Sequence, residues 1–247
     1  MKQQRPNESI RPSLVSRIVA LSALVLLLLL LWFYIVPTGL ASAWYFKANH
    51  YLTLWIQDEA LFSEESAQQA VDAIDHAVTL APDNPHYLLT KAKLNEWLWY
   101  KGLMTTEQLD ASEQLYLQAI AMRPTWPNAH ADYAYFLGVT QFRVTEAFEQ
   151  LALAHRYGPY LPEILLRQIG VGFTQWRYLT SEQKLDTLSA LKYAVVSDWD
   201  TYHEALRLSR DSGMYRVSCS YLRASKAEFT EDQQTKILAQ FCKAPSN

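Results

Sequence analysis

A Pro-x-x-Pro step recurs three times in this chain, at Pro82/Pro85, Pro124/Pro127 and Pro159/Pro162, each time between two stretches of helical periodicity. The first proline follows a helix end: Ala-Val-Thr-Leu-Ala before Pro82, Ala-Ile-Ala-Met-Arg before Pro124 and His-Arg-Tyr-Gly before Pro159. Proline fixes φ and lacks an N–H, so the first member stops the incoming helix while the second suits the first turn of the next one. The steps lie 42 and 35 residues apart. Strand and hairpin signals are poor throughout, so the punctuation predicts an all-α fold built from successive helix pairs.

Within each unit, small and apolar residues fall on one helical face. The run Ala70, Ile74, Ala77, Val78, Leu80, Pro82 resembles the second helix of a tetratricopeptide (TPR) repeat and its closing turn, and Leu117 to Pro124 repeats that ending. Ala129, Tyr133, Ala134, Leu137 and Gly138 resemble the opposite helix, with Ala147, Leu151, Ala154 and His155 on its partner. TPR arrays repeat about every 34 residues. The 42-residue interval exceeds that by about 8 residues, and the excess is placed in the polar segment 101–110, which carries Gly102 and a Thr105-Thr106-Glu107 helix start. The resemblance covers Ala67 to Gly158. Beyond it, periodic runs at 163–178, 181–196, 199–212, 215–226 and 230–243 are either degenerate repeats or a C-terminal helical cap.

From Ile18 to Val36 there are 19 uncharged residues. As a helix they reach about 28 Å, near the thickness of a bilayer's hydrocarbon core. Lys2, Arg5, Arg11 and Arg17 precede this run against Glu8 alone, whereas Lys47 is followed by Asp58 and Glu59. The positive-inside rule then puts the N-terminus in the cytoplasm and the helical domain outside it, which in a bacterium is the periplasm. Trp32, Phe33, Tyr34, Trp44 and Tyr45 sit toward the outer end, as interfacial aromatics do. Ala41-Ser42-Ala43 has the form of a signal-peptidase site, so a cleaved signal peptide competes with a retained anchor; the length of the apolar run favours the anchor. The expected organisation is a cytoplasmic basic tail (1–17), a transmembrane helix (18–36), a juxtamembrane linker and helix (37–62), TPR-like repeats forming an antiparallel helix-pair solenoid (63–160), and C-terminal helical repeats or a cap (161–247).

The formal charge is −3, and without the basic tail it falls to −6, which argues against a nucleic-acid partner. Cys219 and Cys242, the two cysteines, form a disulfide candidate in an oxidising compartment, with two buried thiols as the alternative. A bridge closing about 22 residues stabilises by about 3 kcal/mol on the chain-entropy account.

Chemistry has no constellation to stand on. The six histidines form no His-x-x-x-His pair, so no metal site is expected, and seven unclustered glycines leave no phosphate loop or dinucleotide fingerprint; no cofactor is expected. Glu64-Glu65 suits a helix N-terminus without catalysis, and Ser218-Cys219-Ser220 has no partner signature, so the chain does not read as an enzyme. Aromatics are more suggestive, with 8 Trp and 15 Tyr. Trp97 and Trp99 point about 100° apart per residue and cannot share one buried stripe. Trp99, Trp126 and Tyr135 are the candidate binding residues on a concave face, set against the alternative that such rings fill gaps between helices. Exposed rings stack on sugars or anchor peptides, which admits glycan contact.

The layout, with the stretches Ala-Pro-Asp-Asn-Pro-His-Tyr-Leu (81–88) and Arg-Pro-Thr-Trp-Pro-Asn-Ala-His-Ala-Asp-Tyr-Ala (123–134), resembles VpsP-type accessory proteins of exopolysaccharide and biofilm-matrix biosynthesis. That resemblance implies a membrane-anchored scaffold beside polysaccharide synthesis or export proteins at the inner membrane, with no catalytic residue to carry over. An adaptor for division or outer-membrane assembly complexes is the alternative, and a glycan-acting enzyme the remaining one.

Overall fold

A computed structural model describes residues 14–243, so most of the basic tail (Lys2, Arg5, Arg11) lies outside the described residues. All regular structure among them is helical. The chain divides into two compact units between Pro82 and Asp83.

The first unit is a helical hairpin. Helix α1 (Leu14–Gln57) is long and apolar enough to cross a membrane over its first half, where its leucines are exposed. It runs unbroken through Pro37 and Gly39, where the sequence suggests a linker. Pro37 withdraws one backbone donor, and Thr38 Oγ1 donates to the carbonyl of Tyr34 beside the gap at 2.8 Å. From Ala41 onward the same helix becomes one-sided: Ala41, Ala48, Leu52 and Trp55 are buried against α2 (Glu64–Leu80). Alanines at 67, 70, 73 and 77 of α2 let the two backbones approach. Ser63 starts α2 with a reciprocal capping box to Ser66. Trp44 stacks on His76 at 4.8 Å, and Tyr51 donates to Gln69 at 2.6 Å.

The second unit repeats the hairpin theme. Helix α3 (Pro85–Tyr100) pairs with α5 (Glu113–Met122), α6 (Pro127–Tyr135) with α7 (Val144–Tyr157), α8 (Pro162–Thr174) with α9 (Ser181–Ala194), and α10 (Trp199–Asp211) with α11 (Tyr215–Ala224). Pro85, Pro127 and Pro162 each occupy the first turn of a helix. The excess residues of the long interval form the short α4 (Thr106–Asp110), capped by Thr105 and Gln108; Gly102, at φ +75°, closes α3 in the left-handed conformation that glycine allows. Helix α6 continues as a π-helical turn, Phe136–Thr140. Helix α12 (Glu231–Lys236) likewise continues as a π turn, Ile237–Phe241, which closes the chain.

The pairs run on past residue 160, because α8 packs against α6 and then against α10. From α8 onward the interior is a continuous apolar cluster: Leu165, Ile169, Phe173, Leu191, Tyr202, Leu222 and Phe241 among others. Gly172 permits the α8–α9 contact, since a Cβ there would lie 2.2 Å from Thr187 Oγ1.

Candidate functional site

The helices that follow the proline steps, α3, α6 and α8, lie side by side and parallel. Their starts meet where His86 packs on Trp126 at 4.3 Å; their ends meet where Thr140 donates to Glu96 at 2.9 Å and Gln175 donates to the Gly138 carbonyl at 2.8 Å. Midway along this seam a single carboxylate bridges two cations. Asp132 of α6 accepts from Lys93 of α3 at 3.0 Å on one oxygen and from Arg167 of α8 at 2.9 Å on the other. The Arg167 guanidinium in turn covers the Tyr135 ring at 4.7 Å. Burial alone would raise the Asp132 carboxyl, but Lys93 and Arg167 outweigh it and hold it below the usual range. Arg167 loses solvation too, yet Asp132 keeps it firmly charged.

One turn along α3 from Lys93 stands Glu96. Its Oε1 accepts a short hydrogen bond from the Tyr116 hydroxyl of α5, and its Oε2 accepts from Thr140. Burial dominates and pushes Glu96 up to about 7, against the pull of the two hydroxyl donors. Such a value suits acid–base chemistry. Both oxygens are nevertheless engaged by structural hydroxyls, and Asp132 beside it is locked as an anion between its cations. Beyond this, Tyr133 donates to Glu113, whose carboxylate receives Arg143 at 2.8 and 2.9 Å; Arg143 also holds Glu146. The network joins α3, α5, α6, α7 and α8 through charge and hydroxyl contacts.

The aromatic residues singled out from the sequence occupy three different environments. Trp99 sits half-buried in the last turn of α3, its Nε1 donating to Thr106 at 3.4 Å, so it leans toward its own hairpin loop. Trp126 caps the start of α6, between His86 and the Arg123 guanidinium at 5.7 Å. Tyr135 lies on the seam between α6 and α8, where burial raises its phenol and Arg167 opposes that rise. Cys219 and Cys242 are disulfide-bonded with Cα atoms 5.5 Å apart, joining α11 to the end of the closing π turn. Ser218 is buried, its hydroxyl against Ser209 at 3.2 Å. His130 is held between the Gln150 side chain and the Pro124 carbonyl. Among the described residues no group of three or more His, Cys, Asp or Glu side chains could hold a metal.

Sequence reasoning passed over Lys93, Glu96, Asp132 and Arg167. The available signal was Asp132 itself, a carboxylate in a helix whose neighbours Ala129, Ala131 and Ala134 are all buried. A charged residue on such a face needs partners on adjacent helices.

No family model matches this chain, and no curated protein does. Among solved structures the chain is similar to the crystal structure of PilW, a widely conserved type IV pilus biogenesis factor, with 18% identity over 79% of this chain and 88% of that one and a TM-score of 0.46.

Proposed function

We propose that the protein is a membrane-anchored, periplasmic helix-pair scaffold that supports envelope polysaccharide synthesis or export by holding partner proteins. The observation that carries this reading is the seam of α3, α6 and α8. It sets one aromatic ring and paired charges, Lys93, Asp132, Arg167 and Tyr135, on consecutive first helices. Arginine and tyrosine placed on rigid elements are the residue types that anchor partner recognition. The Tyr116 and Thr140 hydroxyls occupy both oxygens of Glu96, and Lys93 and Arg167 both oxygens of Asp132, which supports reading the seam as a recognition element.

Two features support the compartment. An apolar helix preceded by basic residues favours a cytoplasmic N-terminus. The Cys219–Cys242 disulfide fits an oxidising environment. Ala41, at the possible cleavage motif, is wholly buried against α2 within an unbroken helix, which supports retention of the anchor. The VpsP-type resemblance supplies the polysaccharide assignment. Deletion of the protein should reduce the amount or change the length of an envelope or secreted polysaccharide, measured by gel filtration of extracted polymer. Unchanged polymer with impaired division or outer-membrane assembly would favour the alternative adaptor role.

A further inference from the structure

The three proline steps pack into one edge of the second unit. His86, next to Pro85, lies on Trp126 at 4.3 Å. Pro127 and Leu161 both close on Gly158, where a Cβ would lie 3.0 Å from the Pro127 Cγ and 2.6 Å from the Leu161 Cδ1. Tyr160 meets Tyr193, at the end of α9, with ring centroids 5.2 Å apart. The contacts thus run without a gap from the start of α3 to the end of α9. Tyr160 is 67% exposed, and Trp199, which opens α10 one short turn after Tyr193, is 65% exposed; Leu161 and Tyr193 are exposed too.

The hairpin of the first unit fixes how far from the bilayer this edge begins. Trp44 of α1 stacks on His76 of α2 at 4.8 Å, and the two helices run antiparallel, so Leu80 at the end of α2 lies level with about Leu40 of α1. Leu40 stands only about 6 Å of helix beyond Val36, where the apolar run ends. The headgroup layer on each face of a bilayer is about 5–7 Å thick. The hairpin therefore brings the chain back to the headgroups. Only Asp83 and Asn84 separate Pro82 from Pro85, the first residue of α3, so α3 starts within about 11 Å of Pro82 by chain length alone.

We infer that this edge rests in the headgroup layer of the membrane that α1 crosses, with Tyr160, Leu161, Tyr193 and Trp199 as its lipid contacts. Rings are exposed at the hairpin-turn end as well, Tyr178 among them, so exposure alone does not select the edge. The short tether does, because it starts this edge, and not the other, at the bilayer surface. The chemistry of the rings agrees. Tyrosine and tryptophan join an apolar body to a polar tip and concentrate at headgroup depth. Lys192 stands over the Tyr193 ring at 5.5 Å and Arg156 lies in the last turn of α7, but Glu163, Asp198 and Glu228 share the edge, so neither sign prevails. The contact accordingly needs no anionic lipid. The inference rests on α1 as a retained anchor and is independent of the polysaccharide assignment.

The test uses the full-length protein in vesicles of phosphatidylcholine and phosphatidylethanolamine, with lipid carrying a nitroxide on its headgroup as quencher. Thr125→Cys, exposed at the middle proline step, carries an NBD fluorophore; Tyr178→Cys, beyond the end of α8, carries it in the control. Cys219 and Cys242 are bridged to each other, so the label goes to the introduced thiol. At least twofold quenching at 125 and little at 178 is the expected result. Tyr160→Ser/Trp199→Ser should restore the fluorescence at 125 and leave the thermal midpoint unchanged, because both rings are exposed. Flotation of the vesicles checks the anchor separately. Protein that floats yet is unquenched at 125, equally quenched at both positions, or still quenched at 125 in the ring variant would overturn the edge contact and leave the anchor standing. Protein that fails to float would overturn both.

Discussion

The two halves of the second unit are held together differently. From α3 to α8 the first helices meet through carboxylates, cations and hydroxyls, with Asp132 and Glu96 at the centre. From α8 to the C-terminus they meet through an apolar cluster closed by a disulfide. A purely apolar seam stabilises without direction, whereas a charged one costs desolvation and gives recognition and register in return. An array end has one neighbour fewer and needs sealing. On the proposed reading, the polar half is the one that meets partners and the apolar half the one that supports it.

Breaking the apolar half should have the larger consequences. Gly172→Ala drives a methyl into Thr187, which is fully buried, and overpacking at this contact should cost about 3 kcal/mol, read as a lower midpoint in denaturant unfolding. Little change would mean that α8 and α9 are not so closely apposed. Removing the bridge with Cys219→Ser/Cys242→Ser should cost about 2–4 kcal/mol, and hydrogen exchange should rise first in α11 and the closing π turn.

The polar half should respond more weakly but more specifically. Asp132→Asn leaves Lys93 and Arg167 facing each other without their counter-ion. Both cations keep access to water, with side chains 29% and 34% exposed, so the cost should be about 1–3 kcal/mol rather than that of a fully buried pair. Lys93→Met should restore part of it by removing one of the two orphaned charges.

Glu96 sharpens the contrast through pH. Its folded value is raised to about 7 from 4.5, so the folded state holds a proton that the unfolded chain has released between those values. Stability should accordingly be highest below pH 4.5 as far as this group is concerned and fall as pH climbs through 7, by about 1–2 kcal/mol once water access is allowed for. Glu96→Gln should flatten that slope, and an unchanged slope would assign it to other groups.

How far the fold was legible follows from where its signals are local. Prolines at the first turn, the Thr105 capping box and the small residues of α2 act within a few residues of themselves, so the helix order was readable. The long α1 was not, because Pro37 and Gly39 read as breaks, and what overrides them is packing from Ala41 onward against α2. The Lys93–Asp132–Arg167 bridge joins residues 39 and 35 positions apart, a distance at which spacing carries no information. Trp99, Trp126 and Tyr135 drew notice as aromatics. Composition could not show that one lies over its own loop, one at a proline step and one on the seam.

The proposed role, in which the unit carrying the α3–α6–α8 seam holds polysaccharide machinery, is tested by in-cell photocrosslinking from positions 99, 126 and 135, followed by detergent extraction and mass spectrometry. Capture of a polysaccharide polymerase, ligase or export component from position 135, weakened by Asp132→Asn, is the predicted result. Capture of division or outer-membrane assembly proteins in their place, or of no partner from any of the three positions, would contradict it.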